Sequence, residues 1–170
     1  MKLLKFLNDN FERYLLIATL ALMAIFILIQ VFMRYVMQSS LTWSEEFVRW
    51  CFVWFIWIGI SYGFKVKRHV SIPMVVDQLP PKARTSLSLF ANVVMTVFFF
   101  TLFVYGMKQV LSPLIIKRTA ITLFWPFTDI RVSSLWQYAS LPAGAFLSTI
   151  RLLQNTLGDI KELQKKETKE

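Results

Sequence analysis

Four long stretches without a charged residue constrain this chain more than any other feature. They hold 19, 15, 23 and 19 residues and cover Tyr14–Phe32, Trp50–Phe64, Thr85–Met107 and Val132–Ile150. A helix needs roughly 20 mainly apolar residues to cross a hydrocarbon layer about 30 Å thick. The second stretch is short, so a helix that spans there must extend back through Arg49, Glu46 and Glu45. We therefore predict an integral membrane protein.

The predicted architecture is all-α, with residues 1–170 forming one membrane domain. Only 17% of the residues are charged, against about 25% in an ordinary soluble domain. Short amphipathic helices are expected at the membrane surface. The clearest covers Ser71–Leu79, which has Pro73 in its first turn and is followed by a double proline. The four transmembrane helices are predicted over residues 14–33, 43–64, 85–107 and 132–150.

The distribution of Lys and Arg predicts that both termini are cytoplasmic. With four spans the termini share a side, and that side would carry 13 of the 19 basic residues, leaving 6 for the other. Cytoplasmic loops are enriched in Lys and Arg. The net charge of +9 is therefore attributed to basic residues that set the membrane topology and attract anionic lipid headgroups. Nucleic-acid binding is not expected, because no folded soluble portion remains to do it.

The start of helix two holds the densest group of candidate functional residues. The segment Thr42-Trp-Ser-Glu45 fits a capping box, which would start the helix near Trp43. Glu45 and Arg49 are four residues apart with the acid first, the favoured order for an ion pair within a helix. Glu46 is left over. An aromatic stripe follows one helical face and consists of Trp43, Phe47, Trp50, Trp54 and Trp57.

Two interpretations of this group stay open. An interfacial anchor with a local salt bridge would need no partner, since tryptophan favours the membrane surface and a paired charge is tolerated there. A docking face for another membrane subunit would instead use Glu46 or Arg49 in an ion pair between subunits.

The helix interiors offer no ion site, because their polar residues are uncharged. A coupled transporter usually needs an intramembrane acid or base, or a broken helix, and Pro142 with Gly144 predicts only a kink. The single Cys51 cannot form an internal disulfide or a thiolate cluster, and the single His69 argues against bis-histidine haem ligation. We expect no catalytic site, cofactor or metal. A self-sufficient four-helix exporter remains the alternative, and a haem-bearing anchor is disfavoured.

Several motifs together resemble the small membrane (Q) subunit of TRAP transporters, the DctQ-like family. The most specific block runs from Arg34-Tyr35 through Ser40-Leu-Thr-Trp43-Ser-Glu-Glu46 to Arg49 and Trp54. The resemblance continues in the order that the family shows, with His69-Val-Ser-Ile72, Leu79-Pro80, Arg84, Trp136-Gln-Tyr138, Pro142-Ala-Gly144 and Arg151. It covers nearly the whole chain, which departs from it at Phe127–Ser134, a stretch longer than usual.

The resemblance implies a tripartite importer of organic acids in the bacterial inner membrane. Its partners would be a large membrane (M) subunit, which carries substrate and sodium, and a periplasmic substrate-binding (P) protein, with membrane lipids around the subunits. The small subunit would be a non-catalytic scaffold that helps dock the binding protein. Among such systems the chain is most similar to sialic acid transporters. The residues expected at the partner interface are Arg34, Trp43, Glu45, Glu46, Arg49, Trp50 and Trp54.

Overall fold

A computed structural model describes residues 2–66, 81–125 and 129–167 of the chain. The fold is mostly helical. Its elements are α1 Lys2–Tyr35, α2 Thr42–Lys65, α3 Pro81–Val110, α4 Pro113–Ile116, β1 Thr119–Phe124, β2 Arg131–Ser133, α5 Leu135–Tyr138 and α6 Ser140–Glu167. The predicted surface helix over Ser71–Leu79 lies outside the described residues.

Within the described ranges, three helical segments are long and apolar enough to cross a membrane. They are Asn10–Tyr35, Thr42–Lys65 and Ser86–Val110, and they overlap the predicted spans 14–33, 43–64 and 85–107. Their 26, 24 and 25 residues extend about 36–39 Å at 1.5 Å per residue, enough for the hydrocarbon core. Large apolar side chains such as Leu28 and Phe90 are each 68% exposed. Such continuous apolar faces suit contact with lipid or another protein.

The four long helices pack side by side in the order α1, α2, α6, α3. Glu12 near the start of α1 contacts Lys65 at the end of α2, whereas Gln30 near the end of α1 contacts Glu45 near the start of α2. α1 and α2 are therefore antiparallel. α1 begins and α6 ends at the same end of the bundle, called here the Glu12 end. The opposite end, which carries the two strands, is called the Glu46 end.

Helix α6 differs from the predicted span 132–150 at both ends. Val132 and Ser133 belong to β2, and the helix begins at Ser140 and continues to Glu167. Pro142 has no N–H to donate to the carbonyl of Tyr138, and the helical run is interrupted between α5 and α6 at Ala139. The proline thus separates a short helix from a long one.

The core lies where α2, α3 and α6 meet. Its buried residues include Phe64 and Phe99, whose rings pack edge to face with centroids 5.1 Å apart. Gly144 brings α6 close to α2, since a methyl group added there would lie 3.2 Å from the Cα of Trp57. Small residues allow helices to approach closely within membranes, and the fully buried Ala145 and Ser148 extend this contact surface.

A two-stranded antiparallel sheet corrects the all-α prediction. Thr119 pairs with Ser133 and Phe124 with Arg131, with an irregular register between these pairs. β1 is rich in β-branched residues, which favour strands. An isolated two-stranded hairpin is at best marginally stable, but Ala120 and Val132 of this one pack against Trp50 of α2. The two strands, with the described residues Trp125, Asp129 and Ile130 between them, are called the hairpin below.

Candidate partner interface

Glu46 is bound within the chain, by the first strand of the hairpin. Its Oε1 accepts a hydrogen bond from the N–H of Ile121 at 3.1 Å. Its Oε2 accepts bonds from the N–H of Thr122 at 2.6 Å and from the Thr122 hydroxyl at 2.7 Å. Hydrogen bonds to an ionised carboxylate are roughly twice as strong as neutral ones. Glu46 therefore fastens the hairpin to the start of α2.

The predicted capping box at the start of α2 is not formed. The helix begins at Thr42, one residue from the predicted start, but its N-cap is Leu41 and no side chain caps it. The Ser44 hydroxyl donates back to the Leu41 carbonyl at 2.8 Å. Glu45 instead accepts a hydrogen bond from the Gln30 amide of α1 at 2.7 Å, because the neighbouring helix offers it a donor that the sequence pattern did not reveal.

The predicted ion pair between Glu45 and Arg49 is not formed either. Both side chains are exposed, and the ion pairs of the described residues do not include one between them. Glu45 is held toward α1 by Gln30, whereas Arg49 stands one turn further along α2. The local sequence spacing allowed the pair, but the contact between helices replaces it.

Most of the aromatic stripe faces a cavity of about 920 Å³ bounded by α1, α2 and the hairpin. Trp50 is only 7% exposed, and the Trp54 indole N–H donates to the Trp136 carbonyl at 3.0 Å. Trp43 also lines this cavity, and its ring packs against Phe26 of α1. Trp57 instead lies against Gly144. Trp50 and Trp54 therefore bind α2 to other parts of the same chain.

A second cavity, of about 570 Å³, lies on the opposite face of the α1–α2 pair, and we call it the Arg49 groove. Its lining is Leu20, Met23, Ala24, Ile27 and Gln30 of α1 with Glu45, Val48, Arg49, Phe52 and Phe55 of α2. Arg34 follows Gln30 by four residues, so it lies on the same face of α1, and it is exposed. The groove is apolar over most of its length and charged near the Glu46 end.

Sequence reasoning missed a buried carboxylate at the other end of the bundle. Glu12 is 1% exposed, and its Oε1 accepts hydrogen bonds from Arg151 Nε at 2.9 Å and from the Ser61 hydroxyl at 3.2 Å. The Nζ of Lys65 lies 3.3 Å from Oε2, an ion-pair contact without hydrogen-bond geometry. One carboxylate thus joins α1, α2 and α6.

The available signal was an acid two residues ahead of the first uncharged stretch. Lys65 and Arg151 were counted only as markers of topology, although each flanks an uncharged stretch at the same predicted level as Glu12. Charges near a membrane edge are most stable when paired. This rule predicts a pairing, but only the helix order identifies the partners.

A second polar cluster joins α3 to α6. Asp159 is 6% exposed, and its Oδ2 accepts hydrogen bonds from the Ser88 hydroxyl at 2.9 Å and the Asn92 amide at 2.8 Å. Among the residues that the structure describes, no three His, Cys, Asp or Glu side chains lie close enough together to hold a metal ion. The buried acids therefore make contacts between helices.

These features define a class: a small helical membrane protein whose buried carboxylates join its own helices and whose exposed charges lie along a groove. A sequence model of the DctQ component of tripartite ATP-independent periplasmic (TRAP) transporters matches residues 9–162. The match covers nearly the whole chain, and this protein belongs to the DctQ component family of TRAP transporters.

Individual relatives agree with this family. The chain is 27% identical over 163 residues to the sialic acid TRAP transporter small permease protein SiaQ of Vibrio cholerae, covering 96% of this chain and 89% of that protein. It is 25% identical over 167 residues to the C4-dicarboxylate TRAP transporter small permease protein DctQ of the same organism, covering 86% and 70%. The chain is thus similar to small permeases of TRAP systems that are named for different acids.

A third relative is a much longer protein. The chain is 29% identical over 126 residues to the sialic acid TRAP transporter permease protein SiaT of Haemophilus influenzae, which covers 74% of this chain but 19% of that protein. A region similar to the small permease is there part of a longer permease chain. TRAP small permeases work with large permease subunits, and such relatives combine both in one polypeptide.

Proposed function

We propose that this chain is the small, non-catalytic subunit of a sodium-coupled TRAP importer of organic acids and that the acid imported is sialic acid. Membership of the DctQ family supports the transport role. The observation that carries the scaffold role is that the buried carboxylates Glu12 and Asp159 make hydrogen bonds to neighbouring helices. Substrate and sodium would then bind in the large subunit.

The proposed topology has four crossing helices, with α6 as the fourth, in the bacterial inner membrane. α6 is less apolar than the other three because charged residues occur from Arg151 to the end of the helix. Its uncharged part, residues 140–150, contains the buried Ala145 and Ser148. The sequence assigns 13 of the 19 basic residues to the side of the termini and 6 to the other side, a distribution that supports cytoplasmic termini. The hairpin would then lie on the periplasmic side, where it helps dock the substrate-binding protein.

The predicted interface residues divide between two roles in this proposal. Arg34, Trp43, Glu45 and Arg49 carry exposed side chains that a partner can reach. Glu46, Trp50 and Trp54 would act indirectly, by holding the hairpin in position. The chain thereby presents one lateral surface to the large subunit and one outer surface to the binding protein.

The alternative of a self-sufficient exporter requires a membrane-embedded carboxylate that can exchange a proton for a cation. Glu12 is such a buried carboxylate, yet Arg151 and Lys65 already neutralise it. A carboxylate with two bound cations is not available for a cationic drug. The geometry therefore favours a structural role for Glu12.

A reconstitution with all three components tests the proposed function. Proteoliposomes containing this chain and the large subunit, supplied with the binding protein and a sodium gradient, should take up labelled sialic acid. Vesicles with the large subunit alone should show uptake near the background level. Full uptake without this chain would refute the scaffold role, whereas uptake of a C4-dicarboxylate in place of sialic acid would correct the substrate.

A further inference from the structure

We propose that a transmembrane helix of the large subunit lies along the Arg49 groove and that a carboxylate on this helix pairs with Arg49. This inference rests on the proposed function and makes it more specific, because it selects one face of the chain and one ion pair. The predicted interface otherwise comprises residues on both faces of α2.

The first argument is the position of Arg49 along α2. It lies seven residues after Thr42, or about 10 Å along the helix axis, within a segment apolar enough to span a membrane. The ion pairs formed among the described residues do not involve it, and Glu45 is held by Gln30 instead. A charged side chain at such a depth is stabilised by a partner of opposite charge.

The second argument is the charge balance at this end of the groove. Arg49 and Arg34 provide two guanidinium groups, whereas Glu45 provides one carboxylate, which already accepts a hydrogen bond. The local excess is positive, so the group that complements it is an acid. Arginine also binds carboxylates through two parallel hydrogen bonds, which would fix the register of the incoming helix.

The third argument is the shape of the apolar part. Ala24 of α1 leaves space between the two helices, while Val48 and Phe52 of α2 form one wall. Small residues at such positions allow a further helix to approach closely. Phe52 remains 51% exposed, although an aromatic side chain of this size usually contributes strongly to a packed contact.

The remaining lateral surfaces fit a helix with a charged group less well. The cavity beside Trp50 is bounded on one side by the hairpin. The outer face of α3 carries exposed Phe90, Val97 and Phe98, and the exposed hydroxyl of Thr101 bonds to its own helix at Val97. An apolar face of this kind needs only lipid.

Photocrosslinking tests the face directly, with two phenylalanines of similar exposure as a matched pair. Phe52 of the groove is 51% exposed and Phe98 of α3 is 57% exposed. Each is replaced by p-benzoylphenylalanine in the chain co-expressed with its large subunit. We expect Phe52→p-benzoylphenylalanine to crosslink to the large subunit and Phe98→p-benzoylphenylalanine not to. The reverse result would overturn the proposed face.

Charge variants test the ion pair in the same complex. Arg49→Glu should lower co-purification of the large subunit by roughly tenfold or more, because truncating or reversing a buried charge pair between partners weakens binding strongly. Lys108→Glu is the control, since Lys108 is an exposed cation at the end of α3. Changing an acid at the crosslinked position of the large subunit to Arg should restore the complex with Arg49→Glu.

The outcomes separate this inference from the proposed function. If the unaltered chain does not co-purify with the large subunit, the proposed function itself fails. If it does co-purify and Arg49→Glu is recovered equally well, only the Arg49 pairing is overturned. Circular dichroism of each purified variant shows whether it has kept its helices, so a loss of complex can be assigned to the interface.

Discussion

The Nε of Arg151 lies 2.9 Å from Oε1 of Glu12, an ion pair that joins the last long helix to the first across 139 positions of the sequence. Lys65 contributes a second cation from the end of α2. The side chains of Arg151 and Lys65 are 11% and 18% exposed. Water therefore provides little compensation for a missing partner, and the three helices depend on this carboxylate for their alignment at the Glu12 end.

Removing the charge of Glu12 should destabilise the bundle. Glu12→Gln keeps the shape of the side chain but removes the negative charge that faces two largely buried cations, and breaking a buried pair costs about 3–5 kcal/mol. The measurement is thermal unfolding in detergent followed by circular dichroism, with a clear fall in the midpoint expected. Glu45→Gln, which changes an exposed carboxylate at the other end, is the control. Equal midpoints for the two variants would contradict the proposed role of Glu12.

Two glycines of α6 should respond in opposite directions to the same substitution. Replacing glycine with alanine inside a helix stabilises the helix by up to about 1 kcal/mol. Gly158→Ala should show this stabilisation, because apart from the adjacent residues and the backbone of its own helix no atom lies within 4 Å of the added methyl group. Gly144→Ala should lower the unfolding midpoint, since the methyl group would press on Trp57 and force α6 away from α2. A stabilised Gly144→Ala variant would show that the helices separate there at little cost.

The sequence was sufficient to predict α1, α2 and α3, because each of these helices is recognisable from its own composition. The uncharged stretches and the charges at their edges identify α1, α2 and α3 without any knowledge of neighbours. α6 was misplaced by eight residues at its start, since the apolar residues Val132 and Leu135 continue the uncharged stretch although they belong to β2 and α5. A hydropathy pattern cannot separate a strand from a helix within a short apolar run.

The side-chain pairings were harder to predict because they depend on helix order. Glu45 and Arg49 have the spacing of an ion pair within a helix, yet Glu45 accepts a hydrogen bond from Gln30 of another helix instead. Glu46 was recognised as an unpaired acid, but its partners are backbone amides of a strand 75 residues away. Sequence spacing identifies residues that lie close together along one helix, whereas the hydrogen bonds of Glu45 and Glu46 join different elements.

Loss of the Glu46 charge should loosen the hairpin without unfolding the helices. Glu46→Gln weakens three hydrogen bonds to Ile121 and Thr122, and bonds to a charged group contribute about 1.5–3 kcal/mol each. The amides of Ile121 and Thr122 should then exchange with solvent deuterium roughly tenfold faster or more, since 1.4 kcal/mol corresponds to a factor of ten. Glu45→Gln should leave this exchange unchanged. Unaltered protection in Glu46→Gln would mean that packing on Trp50 alone holds the hairpin.

The proposed orientation makes a prediction about chemical access from each side of the membrane. In a Cys51→Ser background, a cysteine at the exposed Asp129 of the hairpin should react with a membrane-impermeant maleimide in intact spheroplasts. A cysteine at the exposed Gly158 of α6 should react only after the membrane is broken, because the distribution of Lys and Arg along the sequence predicts that the side of the termini is cytoplasmic. Labelling of Gly158→Cys but not Asp129→Cys in intact spheroplasts would reverse the orientation. Labelling of both would place the end of α6 and the hairpin on the same side, so that α6 could not be the fourth crossing helix.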